Sequence, residues 1–376
     1  MHRAELRLVF WETTVACHLA CRHCRRQELA VSDELDTAEG RALIDAIAEL
    51  GRPILVFSGG EPLQRPDLFD LLAHARARAL PCALATTGTL IDDALAERLA
   101  ACGLSRVAVS LDGADAATHD DFRGRPGAFA AAVAGLQRLR ARGISTQINC
   151  TLARHNVAQL PRLRELALAL GAAALHVFVI VPVGCGAELD EQQRLTAEEV
   201  EAALGWLADQ AEDRRLFVKA TCAPQFARVA RQRRRLADLE AHARQQGALH
   251  ATTRGCLAGS AVCFVSARGE VYPCGYLPLR CGSVREASLA AIWRASPVFA
   301  ALRDPEQLRG ACGACAYRDA CGGCRARAAA VHGDWLGSEP DCVLARMYDE
   351  TACVRSRKLH DSAAPDFRSF ISRNAR

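Results

Sequence analysis

Cys17, Cys21 and Cys24 stand in a C-x3-C-x2-C array near the start of this 376-residue chain. Three thiolates at that spacing can hold three irons of a 4Fe–4S cube and leave the fourth iron without a protein ligand, whereas a structural or electron-carrying cube takes four cysteines. An open iron is a place for a substrate or cofactor, so the array points to catalysis. Two other readings stay open from the triplet alone. Zinc sites want four ligands and more often pair two C-x2-C units. A redox C-x-x-C would use only Cys21 and Cys24 and leave Cys17 idle.

A second group of cysteines lies far downstream. Cys256-x6-Cys263-x10-Cys274 spans an expected hairpin, Val262–Ala267 to Glu270–Pro273, turning at Arg268-Gly269. Cys312-x2-Cys315-x5-Cys321-x2-Cys324 follows, and then Cys342. Paired C-x2-C units suit tetrahedral zinc as well as iron–sulfur. The other seven (Cys82, Cys102, Cys150, Cys185, Cys222, Cys281 and Cys353) are scattered and read as small buried hydrophobes. Met1 to Glu12 is charged and lacks the shape of a secretory signal. The grouped cysteines therefore read as metal ligands in a reducing cytoplasm, and the eighteen together do not read as a disulfide framework. A net charge of +4 argues against a dedicated nucleic-acid binder. No run of about eighteen apolar residues suggests a membrane span.

The elements that must position these cysteines read as repeated strand–helix units. Strands are expected at Leu6–Thr13, Pro53–Ser58, Pro81–Thr86, Val107–Leu111, Ser145–Thr151 and Leu175–Val181. Helical periods fill Thr37–Leu50, Pro66–Ala79, Ile91–Ala101, Ala128–Arg142 and Val157–Leu170. Such alternation predicts an α/β fold, a parallel sheet covered by helices, and ligands collect at the C-terminal ends of its strands. The polar motifs fall there. Ser58-Gly59-Gly60-Glu61-Pro62 offers glycines for close approach to a ligand, a carboxylate, and a stiff exit. By itself it could be an ordinary glycine-rich turn. Thr86-Thr87-Gly88-Thr89, Ser110-Leu111-Asp112-Gly113 and Asn149 follow the next strands, and Arg123 closes a charged turn, His119 to Gly124, that could also be a surface helix cap. The stretch from Asp190 to about Arg254 reads as helical and Arg-rich, densest at Arg231–Arg235. It is a solvated helix face or a basic wall for substrate carboxylates.

The triplet followed by Gly59-Gly60-Glu61-Pro62 resembles the radical S-adenosylmethionine (SAM) superfamily, and the later cysteines with Gly269 ahead of Cys274 resemble its SPASM domain. The resemblance covers about residues 6–345. It implies a partial (β/α)6 TIM-like barrel over 6–189, a bridge over 190–254, a SPASM domain over 255–345 and a tail over 346–376. It implies that the open iron chelates SAM and that an electron from the cluster splits SAM to a 5′-deoxyadenosyl radical. SAM contacts would come from Gly59, Gly60, Glu61, Pro62, Thr87, Ser110, Asp112, Arg123 and Asn149. Thr87 replaces a common asparagine, and Val181–Gly184 would line the adenine side. One auxiliary 4Fe–4S cluster would take Cys256, Cys263, Cys274 and Cys324, and a second Cys312, Cys315, Cys321 and Cys342. They would accept or supply the leftover electron. A low-potential donor such as flavodoxin or ferredoxin is implied as partner.

Several stretches look most like the superfamily's tetrapyrrole branch, which serves haem d1 synthesis and the alternative haem pathway from sirohaem. They include Thr13 to Arg25, Phe178–Gly184, Tyr272-Pro273-Cys274-Gly275-Tyr276-Leu277-Pro278 and Cys321-Gly322-Gly323-Cys324-Arg325-Ala326-Arg327. This implies an iron tetrapyrrole substrate modified at its propionates, with Lys219 and Arg231–Arg235 as partners for the carboxylates. The alternative is a peptide-modifying maturase. The N-terminal recognition domain common in such maturases finds no room in the sixteen residues before Cys17, which favours a small molecule.

Overall fold

The computed structural model describes residues 5–26, 31–189, 192–245 and 255–352, with side chains given to residue 348. Seven strands run parallel in chain order: β1 (Leu8–Glu12), β2 (Ile54–Ser58), β3 (Cys82–Thr86), β4 (Arg106–Ser110), β5 (Thr146–Leu152), β6 (Ala174–Val179) and β7 (Phe217–Thr221). Helices α1 (Thr37–Glu49), α2 (Leu68–Ala77), α3 (Asp93–Ala101), α4 (Ala116–Arg123), α5 (Ala128–Ala141) and α6 (Leu160–Ala169) connect the first six. Local chemistry sets their starts. Asp36 and Glu39 form a capping box on α1, while Asp92 and Asp115 cap α3 and α4.

Alternate strand residues face the helices and fuse with them into one core. Val9, Trp11, Leu55, Phe57, Leu84, Val107, Val109, Ile148 and Val177 pack with Leu43, Ile47, Leu71, Leu99, Leu136 and Leu163. The intervening residues take the other face of the curved sheet. Register aligns Ser110, Asn149, His176 and Lys219 as one polar row across β4 to β7.

The sheet is an open, partial barrel, as expected, but its edges extend further. β7 lies inside the stretch read as wholly helical, between α7 (Ala197–Asp209) and the pair α8 (Phe226–Gln232) and α9 (Leu236–Gln245). The apolar run Leu216–Ala220 pairs with β6, and Lys219 interrupts it enough to hide the strand. At the opposite edge β8 (Val262–Val265) adds parallel to β1, and β9 (Glu270–Tyr272) and β10 (Gly282–Ser283) continue antiparallel. The expected hairpin is thus present, with Gly269 at φ 83° in its turn, and it extends the barrel's own sheet. The tail from 353, with Cys353, and the residues around Arg254 lie outside the described residues. Among the described residues no helix is long and apolar enough to cross a membrane.

Candidate active site and cluster-binding cysteines

The loop Thr13–Arg26 leaves β1 at the barrel mouth and carries Cys17, Cys21 and Cys24. Its course is held from below by the glycine motif. Gly60 N–H donates to the Thr14 carbonyl at 2.8 Å and Glu61 N–H to Ala16 at 2.7 Å. A Cβ on Gly60 would stand 2.3 Å from the Ala16 oxygen, and one on Gly59 2.4 Å from that of Thr14. These glycines therefore allow close approach to the cysteine loop. Pro62 is buried where a short 3-10 turn begins.

Glu61 is fully buried, and its carboxylate is already occupied. It accepts from the hydroxyls of Thr86 (2.7 Å) and Thr87 (2.6 Å) and from the backbone N–H of Thr87 (2.8 Å) and Leu63 (3.1 Å). A carboxylate has about four acceptor positions. Glu61 thus ties β2 to the end of β3, and Thr87 spends its hydroxyl on Glu61. The carbonyls of Gly59 and Gly60 accept no hydrogen bond from the described residues.

Asp112 and Arg123 form a buried ion pair at 2.6 Å. Burial works against the Asp112 charge, yet Arg123, His23, His119 and the Thr151 N–H (2.7 Å) outweigh it and hold the carboxyl below its ordinary value. Arg123 also points a guanidinium nitrogen at the Cys21 sulfur, 3.7 Å away. Although burial opposes its charge, Asp112 and Cys21 keep Arg123 protonated. The arginine expected on a SAM carboxylate is therefore already engaged by Asp112. Ser110 and Asn149 lie side by side in register, and Asn149 accepts from Gln147 at 2.7 Å.

Three neighbours were not singled out in the sequence. His23 stacks on Phe122 with ring centroids 4.0 Å apart, and burial keeps it neutral, at about 3. His119 accepts from the Asp112 N–H at 3.0 Å, and burial pulls it down to about 4. Arg26 donates to the Val15 carbonyl, and its charge is favoured by the nearby thiols of Cys24, Cys17 and Cys21. Burial pushes the Cys17 and Cys21 thiols up, and Arg26 and Arg123 pull them back. Two guanidiniums beside three thiols suit an anionic thiolate-ligated cube. Val181–Gly184 packs on this loop, since a Cβ on Gly184 would stand 2.5 Å from Arg25.

The later cysteines divide unevenly. Cys312, Cys315, Cys321 and Cys342 line one pocket with Gly323, Arg228 and Glu339. Arg325 donates to the Cys312 sulfur at 3.3 Å, and Arg228, paired with Glu201, lies near Cys321 and Cys342. Four thiols and nearby cations in one cavity fit a cube. Cys256, Cys274 and Cys324 form the other group, each within electrostatic reach of another. Cys263 is not with them. It is fully buried at the middle of β8, opposite Val9, and packs in the barrel core beside Cys281. Strand alternation turns it toward the helices, apart from the group it was expected to join. Among the described residues no three His, Cys, Asp or Glu side chains converge on single-ion geometry. In a cube each thiolate holds a different iron and need not converge.

Two arginines of the Arg231–Arg235 run are held by local carboxylates. Arg233 pairs with Asp209 at 2.6 Å, and Arg235 pairs with Glu212. Both tie the turn between α8 and α9 to the end of α7 and the turn after it, whereas Lys219 stands in the polar row.

Comparison with known proteins agrees with this geometry. The Radical SAM superfamily profile matches residues 11–167, and the iron-sulfur cluster-binding domain called SPASM matches 256–324. The AdoMet-dependent heme synthase of Methanosarcina barkeri is 44% identical over 90% of this chain and 96% of its own length. That of Oleidesulfovibrio alaskensis is 43% identical over 90% and 87%. In fold, the chain resembles Streptococcus suis SuiB bound to precursor peptide SuiA, with TM-score 0.71 at 14% identity, covering 91% of this chain and 76% of that one. The chain is therefore a radical SAM superfamily enzyme with a C-terminal iron–sulfur cluster-binding domain.

Proposed function

We propose that this enzyme modifies the propionate side chains of an iron tetrapyrrole in haem biosynthesis, by hydrogen abstraction following reductive cleavage of SAM. The observation that carries the reading is the 44% identity, across nearly the full length of both chains, to a relative named AdoMet-dependent heme synthase. When bound, the N-terminal cluster and SAM supply a 5′-deoxyadenosyl radical; the protein's task is to hold and shield the reactants. Cys17, Cys21 and Cys24 would hold three irons. The Gly59 and Gly60 carbonyls, together with Ser110 and Asn149 at their strand positions, are the groups left to receive SAM. Pro62, Glu61, Thr87, Asp112 and Arg123 would act as positioning residues that keep this mouth rigid.

Lys219 supports the choice of an anionic substrate. Burial, reinforced by Arg7, lowers its pKa, and no carboxylate partners it among the described residues. A propionate would supply the missing charge. The C-terminal cysteines would hold one or two auxiliary clusters. A low-potential donor such as flavodoxin or ferredoxin would deliver the electron in the cytoplasm.

The test is anaerobic incubation of the iron-loaded protein with SAM, dithionite and iron tetrapyrroles bearing propionates, read by mass spectrometry. Formation of 5′-deoxyadenosine with a tetrapyrrole of lower mass supports the reading. Unchanged tetrapyrroles beside a modified peptide would overturn it in favour of a maturase.

A further inference from the structure

The group of Cys256, Cys274 and Cys324 is one thiolate short of a closed cube, and Cys263 does not join it. The shortfall matters, because three cysteines leave an open iron and four leave an electron carrier. The seventh strand brings another cysteine to the place. Cys222 follows Thr221, the last residue of β7, at the C-terminal end of the barrel. It packs in the same apolar cluster as Cys274 and Cys324, together with Val181, Leu277 and Ala326.

Its position is built rather than incidental. Cys222 has φ 54°, in the left-handed region that residues other than glycine rarely adopt. Its carbonyl accepts from Arg327 at 2.9 Å. The same guanidinium, fully buried, bonds the Ile180 carbonyl at the end of β6 (3.0 Å) and pairs with Glu339 (3.0 Å) and Asp341 (3.0 Å). Glu339 in turn accepts from the Cys324 N–H. One buried arginine thus fixes the backbone of Cys222 and, through Glu339, that of Cys324, which lies 102 positions later in the chain. Electrostatics agree: the Cys222 thiol feels Cys324, Cys274 and Cys256, whereas Cys263 feels only Cys281.

We propose that Cys222 completes the thiolate set of the first auxiliary cluster with Cys256, Cys274 and Cys324, and that Cys263 remains a core residue. This rests on the reading of the C-terminal cysteines as iron–sulfur ligands. On assembly the buried thiols give up their protons to become thiolates. With four thiolates no iron of this cluster is open, so it exchanges electrons and does not bind substrate. The peptide between β7 and α8 becomes part of the cluster's cradle.

Iron and sulfide analysis with Mössbauer spectroscopy on the anaerobically reconstituted full chain tests this without reference to turnover. In Cys222→Ala the first auxiliary cluster is expected either to be lost, removing about four irons per chain, or to show one iron with altered ligation. Cys263→Ala is expected to keep the wild-type iron count and spectrum. An unchanged spectrum in Cys222→Ala, or cluster loss in Cys263→Ala, overturns the proposal. If Cys222→Ala does not fold, the chain with Cys17, Cys21 and Cys24 all replaced by alanine decides. All its remaining iron is expected to be ligated by cysteine alone, and a site-differentiated iron there overturns the assignment. A wild-type chain already short by about four irons shows instead that the underlying reading is wrong.

Discussion

Lys219 is the residue where substrate class becomes a physical question. A half-buried ammonium with no carboxylate beside it among the described residues gains from a ligand that brings the charge. Lys219→Ala is therefore expected to weaken tetrapyrrole binding by roughly tenfold or more, the scale of one charge-assisted hydrogen bond, while SAM cleavage without substrate stays unchanged. Binding titration beside a dithionite-driven 5′-deoxyadenosine assay separates the two. A second residue-scale consequence concerns pH. Folded His119 takes up its proton only near pH 4, whereas in the unfolded chain the ordinary value is 6.5. Between those values the unfolded state binds the extra proton, so stability is full above pH 6.5 and falls as the pH drops toward 4, by roughly 3 kcal/mol for this group. His119→Gln keeps an acceptor for the Asp112 N–H but cannot titrate. Its urea-unfolding free energy should fall less steeply between pH 6.5 and 5 than that of the wild type; an equal slope would remove His119 from the explanation.

At the scale of elements, the turn after β2 and the loop after β1 behave as one unit. The Gly60 Cβ position is closed by backbone oxygens of Val15 and Ala16, which cannot swing aside as a side chain could. Gly60→Ala is expected to cost about 1–3 kcal/mol and to lower iron occupancy at Cys17, Cys21 and Cys24, measured by denaturation and by iron analysis. Normal stability with full occupancy would mean the loop is not held this way. Strands β1 to β6 were legible because their apolar runs are bounded by Gly, Pro and polar residues. β7 was not, because Lys219 breaks a short run inside an Arg-rich stretch, and with it went the setting of Cys222. Glu61 shows the other limit. Its motif is local, but its four donors come largely from Thr86 and Thr87 on the next strand, and only the parallel register brings them together.

For the whole molecule, the C-terminal cysteine-rich region is continuous with the barrel through hydrogen bonding. β8 covers the edge of β1, a pairing between residues more than 250 positions apart that no local pattern announces. Arg327 bonds the carbonyls of Val179 and Ile180, joining the same region to the barrel mouth. A chain ending before residue 255 would expose the β1 edge as a template for strand pairing. It is expected to aggregate, by light scattering, where the full chain does not; a stable monomeric fragment would show that the domains fold independently. The central claim is that a radical made from SAM attacks a tetrapyrrole propionate. Iron tetrapyrrole deuterated at the propionate β-carbon, incubated anaerobically with enzyme, SAM and dithionite, tests it most directly. The account predicts deuterium in the 5′-deoxyadenosine formed; 5′-deoxyadenosine that stays unlabelled while SAM is consumed would contradict it.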